Sequence, residues 1–409
     1  MDLKDAARQT RERATEEVVG LSHRIHANPE LGFEEHQSSR WVADALAGGG
    51  FRVESDVGGL PTAFAASAGS GDLTIAICAE YDALPDVGHA CGHNVIASAA
   101  VTAGLALAPL ADDLGVTVKV FGTPAEEGGG GKILMLDRGM FDGVHAAMMV
   151  HPSPRGLVAQ PTLAVSHLEV GYSGKEAHAS SYPQEGVNAG DALTVAQVSV
   201  GLLRQHIRAT DRIHGIVTGG GQAPNVIPGK TTASYYARAR TLEELAELRP
   251  RAERCFEAGA TATGCTLTID EASPPYSEFD HDGDMAARYR ANAEALGREF
   301  DEVHEDEALA RAGSTDMANV SLALPAIHPM IRIECGGSSN HQHEFAAWCA
   351  RPSADKAALD GGLAMAWTVI DLATDDTQRR RLLARPAAPH GAGRGWHARS
   401  DTSTSGSLG

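Results

Sequence analysis

Residues 73–94 read LTIAICAEYDALPDVGHACGHN, an unbroken apolar run followed by a polar turn that contains a cysteine and two histidines. A strand that is apolar on both sides is typical of a parallel sheet covered by helices. A helix of small residues is predicted next, over about 95–110, and a second apolar run follows at 116–121. Strand, helix and strand in this order indicate an α/β domain with a mainly parallel central sheet flanked by helices.

The periodicity of apolar residues predicts the other elements of this domain. Helices are expected over the first 25 or so residues, 35–47 and 130–139, and strands at 51–57, 61–66, 73–79 and 146–150. Helix and strand patterns resume after about residue 276 and continue to about 375.

Residues 166–275 have a different pattern. Strands are predicted near 166–174, 213–219, 230–238 and 265–270, and helices over 188–206 and 242–258. This βαββαβ order is that of a ferredoxin-like α+β unit. We therefore expect a catalytic domain made of 1–165 and 276–375, interrupted by an inserted domain at 166–275. Residues 376–409 are rich in Arg, Gly, Ser and Pro, and this composition predicts a disordered tail.

Composition excludes several classes of protein. The chain has 409 residues and a net charge of −19, so a nucleic acid is not expected as a partner. Its six cysteines are widely spaced, which fits a reducing compartment better than a disulfide framework. The N-terminus lacks an apolar signal segment, and no uninterrupted apolar run is long enough for a membrane helix. We expect a cytoplasmic protein without a membrane partner.

The turn after residue 79 contains a possible metal site. Cys91 and His93 are separated by Gly92, which permits a tight loop that directs both side chains to one point. Thiolate sulfur and imidazole nitrogen suit zinc or a similar metal. The alternative is a structural loop with a buried cysteine and a capping histidine.

Two adjacent carboxylates, Glu126 and Glu127, follow the apolar run at 116–121. Consecutive residues that leave a strand point in different directions. One carboxylate can therefore bind a metal while the other acts as a general base toward water, the two roles that metal-assisted hydrolysis needs. The alternative is that both residues merely begin the following helix, where acidic side chains are favoured.

His151 directly follows another apolar run, and His341 lies in the returning part of the same domain. A single histidine at the end of a strand is commonly structural. Here several strands are each followed by a Cys, His or Glu, and the carboxyl ends of such strands meet at one edge of the sheet. Together these residues favour a metal site.

Several motifs resemble peptidase family M-twenty, a family of dinuclear metal exopeptidases and amidohydrolases. The matching stretches, in chain order, are NPELGFEE (28–35), YDALPDVGHACGHN (81–94), PAEEGGGG (124–131), GKEAHAS (174–180) with PQEGVNAGDA (183–192), PNVIPGK (224–230) with Arg238, and GSTD (313–316). The resemblance covers nearly the whole chain up to about residue 375. The CGH motif is similar to that of the amidohydrolase branch.

The resemblance implies two divalent metal ions per subunit, zinc or manganese. The implied metal ligands are Cys91, His93, Glu127, His151 and His341. It also implies that Glu126 is the general base and that Asp82 orients the site. His343 lies two residues from His341, but Phe345 matches the family spacing when His341 is the ligand. The sequence does not identify the ligand that bridges the two ions.

The inserted domain resembles the dimerisation domain of the family, which implies a homodimer. His178 corresponds to a histidine that reaches the partner's active site and stabilises the oxyanion. Asn225 and Arg238 match residues that hold the substrate's carboxylate or carbonyl. A guanidinium on a strand also suits capture of a carboxylate. The alternatives are a surface salt bridge for Arg238 and a loop histidine capped by Ser180 or Ser181 for His178.

Two departures from the common pattern indicate a subgroup. The loop between DALP and HACGH is very short, and Asn94 stands where many members have aspartate. Both features resemble dipeptidases for β-alanyl-lysine-type substrates and p-aminobenzoyl-glutamate hydrolases.

The expected function is metal-dependent hydrolysis of the amide bond in an N-acyl amino acid or small dipeptide, with water activated by metal and Glu126. One alternative is a non-catalytic binding or regulatory protein on the same fold. Such a protein is expected to have lost Glu126 or several ligands, and all are present. The other is an N-carbamoyl amino acid amidohydrolase, a branch with aspartate at the position of Cys91.

Overall fold

The structure is a computed structural model that describes residues 2–384. Its strands are β1 (Arg52–Ser55), β2 (Phe64–Ala68), β3 (Leu73–Ala79), β4 (Val116–Gly122), β5 (Ala146–Met148), β6 (His151–Ser153), β7 (Ala164–Ser173), β8 (Arg212–Gly219), β9 (Lys230–Ala239), β10 (Thr266–Tyr276), β11 (Ala326–Ile327) and β12 (Met330–Arg332). Its helices are α1 (Leu3–Ala27), α2 (His36–Gly48), α3 (His93–Leu107), α4 (Gly131–Asp137), α5 (Ala189–Leu203), α6 (Leu242–Thr263), α7 (Gly283–Ala295), α8 (Glu305–Ala310), α9 (Met317–Ala323), α10 (His343–Trp348), α11 (Pro352–Thr374) and α12 (Asp376–Leu383).

A six-stranded sheet in the order β1-β2-β4-β3-β5-β11 forms the centre of the α/β part. The strands β4, β3, β5 and β11 run parallel to one another, whereas β1 and β2 add an antiparallel edge. The mixed α/β architecture with a mainly parallel sheet is therefore confirmed. The polar turns after β3 and β4 leave the same edge of this sheet, which brings their side chains together.

The helix α3 is buried along its whole length. Small residues permit close packing: a Cβ at Gly362 of α11 would lie 2.4 Å from the carbonyl oxygen of Ala99 in α3. The segment His93–Leu110 is long and apolar enough to cross a membrane, but 89% of it is buried inside the protein. This burial is the pattern of a core helix.

A second sheet, in the order β10-β7-β9-β8, contains only antiparallel pairs. The helices α5 and α6 pack on it around a separate apolar core that includes Tyr172, Leu245 and Phe256. The chain order of these elements is βαββαβ, as the sequence pattern predicts. The proposed domain boundaries stay a prediction.

Some elements differ from the predicted ones. The strand predicted at 146–150 ends at Met148, and His151 begins a separate short strand, β6, which pairs with β12. The strand predicted at 265–270 extends to Tyr276 although it contains two prolines, because β10 is an edge strand and proline is tolerated there.

The predicted tail was wrong at its beginning, because residues 376–383 form the helix α12. The Asp375 side chain accepts hydrogen bonds from the backbone N–H groups of Thr377 and Gln378 and so caps this helix. Arg381 pairs with Asp282 at 2.6 Å and anchors the helix to the α/β part. Residues 385–409 lie outside the described residues.

Candidate active site

The turn between β3 and α3 places Cys91 and His93 at the edge of the sheet. Gly92 has a φ of 89°, and a Cβ there would lie 2.5 Å from Cγ of Pro152, so only glycine fits without strain. Cys91 Sγ lies 3.2 Å from Nε2 of His151. His93 begins the helix, and no side chain caps this helix end. The alternative of a capping histidine was therefore wrong.

Within residues 2–384, three groups of described side chains are close enough to hold a metal ion. They are Cys91–His93–His151, Cys91–Glu127–His341 and Glu80–His93–Glu126. The five residues of the implied ligand set all lie in the first two groups, and Cys91 belongs to both. Among the described residues His343 belongs to none of them, although it is only two positions from His341.

Hydrogen bonds orient two of the histidines. The Nδ1 of His93 lies 3.0 Å from a carboxylate oxygen of Asp82, and the Nδ1 of His151 lies 2.7 Å from the carbonyl oxygen of Pro152. Each Nδ1 therefore carries the proton that it donates, which leaves each Nε2 lone pair available for a metal. The second oxygen of Asp82 accepts the backbone N–H of Glu127 at 3.0 Å, so Asp82 holds two of the implied ligands.

The carboxylates of the site are crowded. Burial, with the nearby charges of Glu80 and Glu127, raises the pKa of Glu126 well above its ordinary value. Oε2 of Glu80, Oε1 of Glu127 and Nε2 of His93 are buried without a hydrogen-bond partner in the described part of the chain. Buried acidic and imidazole groups of this kind fit divalent cations, which would offset the repulsion between the carboxylates.

Glu126 and Glu127 precede the helix α4, which begins only at Gly131. The alternative that they merely begin this helix was therefore wrong. Ala125 has a φ of 56°, an uncommon conformation for a residue with a side chain. Its N–H donates to Oε1 of Glu35 at 2.8 Å, and the Tyr276 hydroxyl donates to the carbonyl oxygen of Glu126 at 2.6 Å. These contacts fix the turn that carries Glu126.

Sequence reasoning missed the roles of Glu35 and Tyr276. Glu35 ends the NPELGFEE motif, which was a usable signal. Tyr276 follows two consecutive prolines at the end of β10, and only the fold shows that its hydroxyl contacts the turn.

Sequence reasoning also missed a buried ion cluster beside the site. The ammonium group of Lys132 lies 2.5 Å from Glu80 and 2.7 Å from Asp316, and all three side chains are buried. The backbone N–H of Lys132 donates to the second oxygen of Asp316. Asp316 and Glu80 raise the pKa of Lys132 well above its ordinary value despite its burial, so its charge is retained. The GSTD motif was the only sequence signal for Asp316.

A cavity of about 900 Å³ opens onto Cys91, Glu126, Glu127, His151 and His341. Arg238 of β9 also lines this cavity. Its guanidinium donates to Oγ of Ser314 at 2.6 Å and lies 5.6 Å from the centre of the Tyr236 ring. In the described residues it forms no ion pair with a carboxylate, so the alternative of a surface salt bridge was wrong.

His178 and Asn225 do not lie with Arg238. They are neighbours on the inserted unit, where the Ala179 N–H donates to the carbonyl oxygen of Asn225, and both are exposed. Neither is among the described residues that line the cavity. Within a single chain Arg238 therefore lines the cavity and Asn225 does not, and the substrate-binding role of Asn225 stays a prediction.

The ring of His178 has a defined orientation. Its Nδ1 accepts hydrogen bonds from the backbone N–H groups of Ser180 and Ser181 at 3.3 and 3.2 Å. The predicted capping contact is therefore present. In the neutral imidazole the proton must then be on Nε2, where it is free to be donated to another group.

Fold and site together are those of a metal-dependent hydrolase of amide bonds. The model of Peptidase family M20/M25/M40 matches residues 76–355, and the chain belongs to this family. The chain is similar to "Xaa-Arg dipeptidase" of Mus musculus, with 38% identity over 90% of this chain and 89% of that protein. It is also similar to a p-aminobenzoyl-glutamate hydrolase component of Escherichia coli (strain K12), with 34% identity over 67% of this chain and 61% of that protein.

Solved structures share the fold. An aminobenzoyl-glutamate utilization protein from Klebsiella pneumoniae aligns with a TM-score of 0.70 and 18% identity, over 90% of this chain and 98% of that chain. A dinuclear metal binding peptidase of the same family from Bacillus subtilis aligns with a TM-score of 0.64 and 20% identity, over 88% of this chain and 99% of that chain. The expected family and architecture are confirmed.

Proposed function

We propose that the protein hydrolyses an N-acyl amino acid or a small dipeptide at this site and releases a free amino acid. The observation that carries the proposal is the pair of ligand groups that share Cys91, beside Glu126, on the wall of a cavity. Glu126 belongs to neither of these two ligand groups, yet it is buried and lines the same cavity. A binding or regulatory protein on the same fold would not need such a carboxylate.

Two divalent ions, zinc or manganese, are proposed as cofactors. The first ion would be held by Cys91, His93 and His151, and the second by Cys91, Glu127 and His341. Cys91 is therefore the proposed bridging ligand. When bound, the metal ions supply Lewis acidity that lowers the pKa of water and polarises the substrate carbonyl.

Glu126 is the proposed general base. It takes a proton from the attacking water and later delivers it to the leaving amine, which suits a carboxyl group whose pKa is raised by burial and by Glu80. Arg238 binds the carboxylate of the released amino acid, because it lines the cavity and has no acidic partner in the described residues. Asp82 positions His93 and Glu127.

His178 is proposed to act in the partner subunit of a homodimer. It lies outside the cavity of its own chain, and its Nε2 is available as a donor to an oxyanion. The unit that carries it has an unpaired edge at β8 and exposed apolar side chains, among them Val198, Leu202 and Ile216, which are 59, 69 and 68% exposed. Such features favour association. Asn225 adjoins His178 and would reach the same partner site. We also propose a cytoplasmic location without a membrane partner.

The names of two relatives indicate the range of substrates. One relative is named for a dipeptide that ends in arginine and the other for p-aminobenzoyl-glutamate. We propose that this chain also releases the amino acid that supplies the nitrogen of the amide bond, with specificity set by the cavity.

The experiment is a screen of N-acyl amino acids, dipeptides and N-carbamoyl amino acids with Mn²⁺, Zn²⁺ or Co²⁺ added. We expect release of a free amino acid from acyl or dipeptide substrates and complete loss of this activity with EDTA. Turnover of N-carbamoyl compounds alone would favour the carbamoylase alternative. Full activity in a preparation shown by metal analysis to contain no metal would refute the proposal.

A further inference from the structure

We propose that Arg155 and Arg311 select substrates in which the released amino acid has an anionic side chain. This inference rests on the proposed function and concerns the specificity of the same cavity. It goes beyond the capture of the α-carboxylate by Arg238, because it assigns a second anion site to different residues.

The charges on the cavity wall are unevenly distributed. Glu126 and Glu127, which belong to the reacting centre, are the only carboxylates among the described residues that line the cavity. The other permanently charged side chains on the wall are three arginines, at positions 155, 238 and 311. Away from the reacting centre the cavity therefore presents only positive charge to a substrate.

Arg155 and Arg311 share one acidic partner. Oε1 of Glu307 lies 3.1 Å from a guanidinium nitrogen of Arg155 and 3.6 Å from one of Arg311. One carboxylate cannot neutralise two guanidinium groups, so among the described side chains of this cluster one positive charge remains in excess. All three side chains are partly exposed, at 36, 64 and 44% for Arg155, Arg311 and Glu307. A substrate carboxylate can therefore reach the arginines without displacing a buried ion pair.

The position of this pair relates it to the amino-acid end of the substrate. Arg238 donates to the side chain of Ser314, which lies three residues after Arg311 and, like it, lines the cavity. The adjacent Gly313 accepts the backbone N–H of Leu163, which fixes this segment. Because all three arginines line one cavity, the proposal places the side chain of an amino acid whose α-carboxylate contacts Arg238 beside Arg311 and Arg155.

The physical basis of the selection is charge. A carboxylate forms strong, charge-assisted hydrogen bonds with guanidinium groups, whereas the isosteric amide gains much less. A cationic side chain would be repelled by the excess positive charge, and the carboxylate described at this place, Glu307, is already paired with both arginines. The cavity should therefore favour a glutamate-like residue over glutamine, and glutamine over lysine.

The test measures kcat/KM of the metal-loaded enzyme for N-acetylglutamate, N-acetylglutamine and N-acetyllysine. A second series attaches the acyl group of the most active compound in the screen to the same three amino acids. Within each series kcat/KM for the glutamate compound should exceed that for the glutamine compound about tenfold, since a hydrogen bond to a charged group has about that effect. The preference should weaken as ionic strength rises. Equal rates, or a preference for the lysine compound, would overturn the inference.

Variants assign the effect to the two arginines. In Arg155→Gln/Arg311→Gln the glutamate-to-glutamine ratio should fall to about one, whereas Glu307→Gln should raise it because both guanidinium groups lose their internal partner. Arg290→Gln is the control: Arg290 is 38% exposed, pairs with Glu294 at 2.9 Å on α7 and does not line the cavity. Its ratio should equal that of the wild type. An unchanged ratio in the double variant would refute the assignment.

Calorimetric binding of free glutamate and glutamine separates this inference from the proposed function. If no acyl compound is hydrolysed, the proposed function fails, and the binding preference still decides whether the arginines select an anion. If hydrolysis occurs without preference and both products bind equally, only the inference fails. Thermal unfolding of each variant verifies that the fold is retained.

Discussion

Glu126 is a buried carboxylate on the wall of the cavity. It belongs to neither of the two ligand groups that share Cys91. Ala125 and Tyr276 fix the turn that carries it, so its position does not depend on a flexible loop. A general base needs such a fixed position relative to its proton donor. The proposal therefore depends more on the geometry of this residue than on its pKa.

Replacing Glu126 with glutamine should remove the general base without removing a metal ligand. Glu126→Gln should keep its bound metal and lose about 10²–10⁴-fold in kcat, the usual contribution of a positioned general base. Steady-state kinetics and metal analysis of the same preparation measure both effects. Glu257→Gln, a change at an exposed position of α6, is the matched control. Near-normal turnover in Glu126→Gln would contradict the assignment.

Cys91 and His341 should differ in their effect on metal content. Cys91 belongs to both ligand groups and His341 to only one of them. Cys91→Ala should therefore weaken the binding of both ions, whereas His341→Ala should spare the ion held by His93 and His151. Metal analysis after dialysis against a graded series of chelator concentrations distinguishes the two patterns. Identical losses in both variants would argue against a bridging Cys91.

At the scale of elements, the first turn of α4 is joined to the beginning of α9 by an ion cluster. Lys132 lies between Glu80 at the end of β3 and Asp316 before α9. The cluster connects the strand that leads into the metal site with the segment that holds Arg238 through Ser314. It stabilises the relative position of three elements that form the cavity.

Removing this buried cation should destabilise the protein strongly. Lys132→Met leaves two buried carboxylates without their partner, and the free energy of unfolding should fall by about 3–5 kcal/mol. The same change at Lys356, whose side chain is 60% exposed and pairs with Asp360 on α11, should cost about 0–1 kcal/mol. Denaturant unfolding of both variants gives the comparison. Equal losses would mean that the buried cluster contributes no more than a surface pair.

At the scale of the whole molecule, one chain brings together the ligands, Glu126 and Arg238 but leaves His178 outside the cavity. An active enzyme that uses His178 must therefore be at least a dimer, with each site completed by its partner across a two-fold interface.

Mixing two inactive chains tests this arrangement. His178→Ala and Glu126→Gln chains should regain activity after subunit exchange, because a heterodimer then contains one site with both defects and one with neither. Under random pairing about half of all dimers are heterodimers, and one of the two sites in each heterodimer is intact. The activity of the mixture should therefore recover to about a quarter of that of the same amount of wild-type protein. The control is each variant alone, carried through the same exchange. No recovery despite confirmed exchange would mean that His178 does not act across subunits.

The fold class, the chain order of the main elements and the family could all be predicted from local patterns in the sequence. Apolar runs such as residues 73–79 specify buried strands through local chemistry, and motifs such as HACGH place ligand types within one short turn. Cys91 and His93 could be predicted as a pair because only one glycine separates them. The helix α12 could not be predicted, because it packs on the α/β part through the contact between Arg381 and Asp282.

Contacts between residues that are distant in the sequence could not be predicted and depend on how the elements pack. Cys91 is shared by two ligand groups because the turns after β3 and β4 meet the beginning of β6 and the segment before α10. Lys132 and Asp316 pair across 184 residues, and Tyr276 reaches the turn of Glu126 across 150. Asn225 separates from Arg238 although both belong to the inserted unit. Sequence motifs record residue types and local spacing, whereas distances between segments follow from how the sheets and helices pack.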